Sequence, residues 1–302
     1  MPHQVAAVSE IFSSLQGEGT HMGERHMFLR FEACNIHCEY CDELGKPGYD
    51  FDLDATLESL KRLDKEFGPH SYVSLTGGEP LLYVSFLKDL LPKLKEMRWR
   101  TYLETNGILW QALEQVISWT DLVAMDVKPA SVTKERSFLK EHEAFLKIAV
   151  RKETFIKMVC SKEIDLGEFK ELCEMIQNVI TRHCPTGAIP ILWNKINKWD
   201  CEDPKEIPRP SLRAPQSGAK QSLGLGTGSA ISELGIASAS TGTLPRNDGI
   251  RIPLILQPMS GEIEGHEDPE LMRLLGELQT VGLGILQDVR IVPRLHKILK
   301  IR

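Results

Sequence analysis

From residue 26 almost to the C-terminal end, runs rich in Val, Ile, Leu and Phe alternate with stretches whose apolar residues recur every three or four positions. The first kind reads as strand, the second as helix. The most readily defended helix holds Leu57, Leu60, Leu63 and Phe67 on one face, with Asp54 able to cap its start and Gly68 placed to stop it. Strand "SYVSLT" follows, then a helix over 83–97 whose stripe is Leu87, Leu90, Leu91 and Leu94, and in which Pro92 predicts a kink or division. The pattern repeats: strand "RTYLE", helix 110–119, strand "DLVAMD", helix 134–149, strand "TFIKMV", helix 166–182, and later strand "IPLILQP", helix 268–281 and strand "GILQDVRIV". Such alternation predicts an α/β fold of parallel strands joined by crossover helices.

One segment interrupts it. Residues 200–249 are dominated by Pro, Gly, Ser and Ala and contain no aromatic residue, so little can be buried there to offset the entropy of ordering. We expect a mobile insertion or lid within a single domain spanning 1–302. Its "GLGTGS" lacks the strand and acidic partner of a dinucleotide loop.

Composition narrows the class. With 42% hydrophobic and 26% charged residues the chain reads as a soluble globular protein. No apolar run is long enough for a bilayer helix and "MPHQVAAVSE" lacks a signal-peptide pattern, so a cytoplasmic location is expected. The net charge of -6 has the wrong sign for affinity built on neutralising phosphates, and nucleic acid is not expected as direct substrate.

Seven cysteines occur among 302 residues, and three of them, Cys34, Cys38 and Cys41, crowd into "FEACNIHCEYCDE". In a reducing compartment such thiols are ligands or catalysts before they are disulfides. One reading is structural zinc with His37 or His26 as fourth ligand, though no second cysteine pair lies at knuckle spacing. The other is a four-iron cluster held at three irons with the fourth left open, shielded by Tyr40. The remaining four, Cys160, Cys173, Cys184 and Cys201, are scattered and read as ordinary thiols.

Further motifs end successive strands: "TGGEP" (76–80), "ETNG" (104–107), "MDVKPAS" (125–131) and "LQP" (256–258), with Lys157 inside the fifth strand. In a barrel of parallel strands that rim is where ligands meet. The cysteine loop and TGGEP, each directly after a strand, make the sequence resemble the radical S-adenosylmethionine (SAM) superfamily. Within it, "EIFSSLQGEGTHMGERHMFLRF", TGGEP, ETNG, DVKP, LQP and "VPRLHKIL" are similar to the 7-carboxy-7-deazaguanine synthases of queuosine biosynthesis.

The resemblance implies a partial (β/α)6 TIM-like barrel, open on one side. It implies a [4Fe-4S] cluster on Cys34, Cys38 and Cys41, and SAM bound by Gly77, Gly78, Glu79, Pro80, Glu104, Thr105, Asn106, Asp126, Lys128 and Gln257. The implied reaction takes a hydrogen from the carboxylate-bearing carbon of 6-carboxy-5,6,7,8-tetrahydropterin through a 5′-deoxyadenosyl radical. Ring contraction with ammonia loss follows, and SAM is regenerated. Arg30 matches the carboxylate-binding arginine, a role suited to its bidentate fork, although it could instead pair with Glu32 or Glu24. Gln16, Gly17, Glu18, Gly19 and Thr76 are expected on the pterin side, with His296. A flavodoxin or ferredoxin-type electron donor and a homodimer are also implied. One departure stands out: the family continues the cysteine loop with Asp-Thr, whose threonine helps hold Mg2+, whereas here Asp42 is followed by Glu43. Glu43 could replace that ligand or pair with a cation. Two other readings compete: a radical SAM activase acting on a partner protein, and a non-enzymatic metal-binding module.

Overall fold

The computed structural model describes residues 4–41, 43, 45–183, 251–259 and 268–294. All of them fall in one compact unit. The expected insertion at 200–249 lies outside the described residues, as do Cys184, Cys201 and His296.

Among the described residues nine strands form one sheet in the order β3-β1-β2-β4-β5-β6-β7-β8-β9. They are β1 (Ala6–Leu15), β2 (Arg25–Phe31), β3 (Tyr49–Phe51), β4 (Tyr72–Gly77), β5 (Thr101–Thr105), β6 (Leu122–Val127), β7 (Glu153–Cys160), β8 (Leu254–Pro258) and β9 (Val289–Ile291). The run from β2 through β4 to β9 is parallel throughout. β1 and β3 are antiparallel additions at one edge. The helices are α1 (Leu53–Phe67), α2 (Val84–Glu96), α3 (Trp110–Val116), α4 (Ala130–Thr133), α5 (Leu139–Ala149), α6 (Leu166–His183) and α7 (Pro269–Leu283). The sheet is an open, partial (β/α) barrel, as expected.

Strand periodicity explains how this scaffold makes a site. Successive side chains point to opposite faces. Val73, Leu75, Leu103, Val123, Met125, Ile156, Met158, Leu254 and Leu256 pack with the helices in the main core. The alternate residues Tyr72, Tyr102, Leu122, Ala124, Phe155 and Ile255 form a separate inner cluster. Two to four positions further along the same face come Thr76, Glu104, Asp126, Lys157 and Gln257. Each strand is thus apolar at its start and polar at its C-terminal end, which places the polar groups together at the mouth.

Local details differ from expectation in four places. Asp52, not Asp54, caps α1, its Oδ1 accepting from the Ala55 N–H at 2.8 Å. Phe67 is exposed at the end of that helix. Pro92 does not divide α2, because Leu87, Leu90, Leu91 and Leu94 are all buried and hold both turns against the sheet. The helix expected from 134 begins at Leu139, since Lys134 takes a left-handed φ of 62° and ends the short α4 instead.

Candidate functional site

The cysteine loop and TGGEP are stitched to each other by main-chain hydrogen bonds. The N–H groups of Gly78 and Glu79 donate to the carbonyls of Phe31 and Ala33, at 2.9 and 2.7 Å. This proximity is what requires glycine. A Cβ on Gly78 would lie 2.1 Å from the Ala33 oxygen, and one on Gly77, whose φ is +111°, would lie 2.2 Å from the Phe31 oxygen.

ETNG joins the same knot. The Glu79 carboxylate is fully buried and accepts from the N–H of Asn106 (2.8 Å), the N–H of Leu81 (3.0 Å) and the Thr105 hydroxyl. Burial pushes its pKa up to about 7 against those hydrogen bonds. Asn106 in turn donates its side-chain amide to Asn35 Oδ1 at 2.7 Å, with Cys34 Sγ 3.8 Å away. Glu79 and Thr105, expected to touch the cofactor, therefore spend their side chains holding two motif loops together.

A half-open cavity of about 210 Å³ lies beside this knot. Of the expected residues, Gln16, Gly17, Glu18, Arg30, Cys38, Cys41, Glu43, Thr76, Gly77, Glu104, Asp126 and Lys128 line it, joined by Phe12, Tyr40, Lys157 and Arg294. Gly19, Cys34, Gly78, Glu79, Pro80, Thr105, Asn106 and Gln257 do not. Gly19 sits in a left-handed turn against the Phe155 ring, where a Cβ would lie 2.3 Å from it, so its lack of a side chain lets the turn pack on the inner cluster. Gln257 is fully buried, and neither its amide nitrogen nor its amide oxygen has a hydrogen-bond partner among the described residues.

Charges alternate around the mouth. Lys157 Nζ lies 2.5 Å from Glu18 Oε2 and 3.7 Å from Asp126 Oδ2, while Lys128 Nζ lies 2.8 Å from the same Asp126 oxygen. Burial works to lower the pKa of both lysines, but the adjacent carboxylates raise them above the ordinary value, so both remain charged. Arg294 adds a cation 3.4 Å from Glu18 Oε1. Glu104 Oε1 accepts from Gln16 and its Oε2 from Thr76, both at 2.9 Å, and burial raises its pKa. Arg30 pairs with neither Glu32 nor Glu24. Its Nη1 lies 2.6 Å from Glu43 Oε1 and its Nε 3.3 Å from Glu10 Oε2.

Two groups were not anticipated. Arg294, within "VPRLHKIL", lines the cavity without any spacing in the sequence that points to it. His142 on α5 is fully buried, its Nδ1 on the Gly107 carbonyl at 3.0 Å and its Nε2 accepting from the Lys128 N–H at 3.1 Å. It bridges the loops after β5 and β6, and burial lowers its pKa to about 4, keeping it neutral. The available signal was its place on the apolar stripe with Phe145, Leu146 and Ala149.

The donor set suits a cluster. Three free thiols stand on one loop within an apolar pocket of Ile36, Ile108 and Phe138, with Tyr40 packed beside them. Among the described residues no three His, Cys, Asp or Glu side chains converge on one metal ion, whereas thiolates bound to three different irons need not converge on a point. At the cavity wall, the buried Asp126 Oδ1 has no hydrogen-bond partner among the described residues and leaves a polar atom for a bound molecule to satisfy. Magnesium fits less well, because both Glu43 oxygens face cations: Oε2 lies 2.7 Å from Lys46 Nζ.

The radical SAM superfamily model matches residues 29–203. The chain is 37% identical over 206 residues to the 7-carboxy-7-deazaguanine synthase of Geobacter sulfurreducens, covering 62% of this chain and 82% of that protein. It is 40% identical over 132 residues to the enzyme of the same name from Methanothermobacter thermautotrophicus, covering 41% of this chain and 50% of the relative. The crystal structure of QueE from Escherichia coli superposes with a TM-score of 0.50 at 14% identity, covering 97% of this chain and 96% of the other. That last likeness speaks to fold alone.

Proposed function

This chain belongs to the radical SAM superfamily and, within it, to the 7-carboxy-7-deazaguanine synthases, and we propose that it contracts 6-carboxy-5,6,7,8-tetrahydropterin to 7-carboxy-7-deazaguanine with loss of ammonia. The observation that carries the reading is the union of the cysteine loop, TGGEP and ETNG in one hydrogen-bonded knot at a cavity lined by alternating charges.

Cys34, Cys38 and Cys41 would hold the [4Fe-4S] cluster, and Gly77, Asp126 and Lys128 would bound the SAM pocket beside it. Bound there, cluster and SAM supply the 5′-deoxyadenosyl radical. The chain's own residues then position the pterin. Gln16, Glu18 and Glu104 present the paired amide and carboxylate edge that a pterin's donors and acceptors require. Arg30, Lys157 and Arg294 supply cations toward the substrate's anionic end, with Arg30 meeting the carboxylate. Phe12 and Phe28 wall the same cavity, limiting water around a reactive intermediate.

An electron must arrive from outside, and a flavodoxin or ferredoxin-type donor is proposed, as is a homodimer. Among the described residues no helix is long and apolar enough to cross a membrane. Glu43 is spent on Arg30 and Lys46 and is not free to hold magnesium. The test is anaerobic incubation of the reconstituted protein with SAM, reductant and the carboxytetrahydropterin, followed by mass spectrometry. Formation of the deazaguanine supports the proposal; SAM cleavage that is the same with and without the pterin, and no deazaguanine, refutes it.

A further inference from the structure

Glu43 is where the cysteine loop departs from its family, and the structure sets it against the arginine that faces the substrate's carboxylate. Its Oε1 lies 2.6 Å from Arg30 Nη1 and its Oε2 2.7 Å from Lys46 Nζ. Arg30 Nε faces Glu10 at 3.3 Å. Two internal carboxylates therefore stand on the guanidinium before any ligand arrives, and the four charges of Arg30, Lys46, Glu10 and Glu43 sum to zero.

The two carboxylates are not equally fixed. Glu10 lies on β1 directly opposite Arg30 in the strand register. Glu43 lies on the loop after Cys41, and Lys46 would keep hold of its second oxygen if the first let go. An incoming carboxylate cannot share Nη1 with Glu43 without adding a third anion to a guanidinium that already faces two. Glu43 is the group that can yield.

We propose that Glu43 is a specificity-determining residue that acts as an internal competitor for the substrate's carboxylate, occupying Arg30 in the free enzyme and exchanging with the ligand's carboxylate on binding. The proposal rests on the functional reading above. Substrate and product of that reaction both carry the carboxylate, so the competitor loosens the hold on each. A ligand lacking the carboxylate leaves Glu43 on Arg30 and neither gains nor loses by it.

Calorimetric titration with 7-carboxy-7-deazaguanine and with 7-deazaguanine, which lacks the carboxylate, tests this without turnover. Glu43→Thr is expected to tighten the carboxylated ligand about tenfold and to leave 7-deazaguanine unchanged. Glu43→Gln, closest to the native shape, should tighten it in the same direction. In an Arg30→Ala background, Glu43→Thr should change neither affinity. The proposal is overturned if Glu43→Thr and Glu43→Gln leave the carboxylated ligand unaffected, weaken it, or tighten both ligands alike. If wild type and variants all fail to bind the carboxylated ligand while binding SAM, the functional reading falls and takes this inference with it; binding without a Glu43 effect overturns the inference alone.

Discussion

Glu79 shows how a motif side chain can hold the loops of a site together. Its oxygens accept from two backbone N–H groups and a hydroxyl, and a carboxylate is acceptor-only when ionised. Glu79→Gln turns one oxygen into a donor aimed at an N–H. We expect a loss of about 1–3 kcal/mol of stability, read by denaturant unfolding, together with weaker SAM binding. His142 yields a pH prediction. Its pKa falls from 6.5 to about 4 in the fold, so below pH 6.5 the unfolded chain takes up a proton that the folded one refuses. Stability owed to His142 is complete above 6.5 and drains away as pH falls toward 4, by about 3 kcal/mol. Gln can donate to Gly107 and accept from Lys128 in its place. The stability margin of wild type over His142→Gln should therefore shrink across that window; a constant margin would mean that His142 is not held neutral. Arg30 was legible from its place before the cysteines, but its partners were not: they come from β1 and from a loop, which no local spacing reveals.

At the level of elements, the parallel strands and most helices were legible because each repeats a clean period on a buried face. β1 was not read as a strand. Only Ala6, Val8 and Phe12 of its ten residues are buried, and an irregularity between Val8 and Glu10 breaks its register with β2. The loops after β2, β4 and β5 behave as one element despite their separation in sequence, and glycine is where they touch. Gly78→Ala should displace Ala33 and with it Cys34, lowering the melting temperature and the amount of cluster retained on reconstitution. Gly276→Ala on α7 is the control: among the described residues no atom beyond its own helix turn lies within 4 Å of its added methyl, and helix propensity predicts a gain of up to about 1 kcal/mol. Thermal melts and the visible absorbance of the two variants separate a steric effect at the knot from a general cost of losing glycine.

For the whole molecule, an open parallel sheet with an apolar inner base and a charged rim was foreseeable from strand-end motifs, whereas the pairing of those charges across the mouth was not, because it depends on barrel curvature. Cysteine usage follows the same division. Cys160 and Cys173 are buried in the main core, and burial pushes both pKa values up to about 12, so replacing Cys173 by Ala should leave the brown colour of anaerobically purified protein. Replacing Cys34, Cys38 or Cys41 should abolish it. In the proposed reaction this mouth presents the carboxylate-bearing carbon of the pterin for hydrogen abstraction. The most direct test is anaerobic turnover of substrate deuterated at that carbon, with mass spectrometry of the recovered SAM and product. We expect a deazaguanine product without the deuterium and SAM that has gained it; product formed while SAM remains unlabelled would mean that the hydrogen is not taken from that carbon.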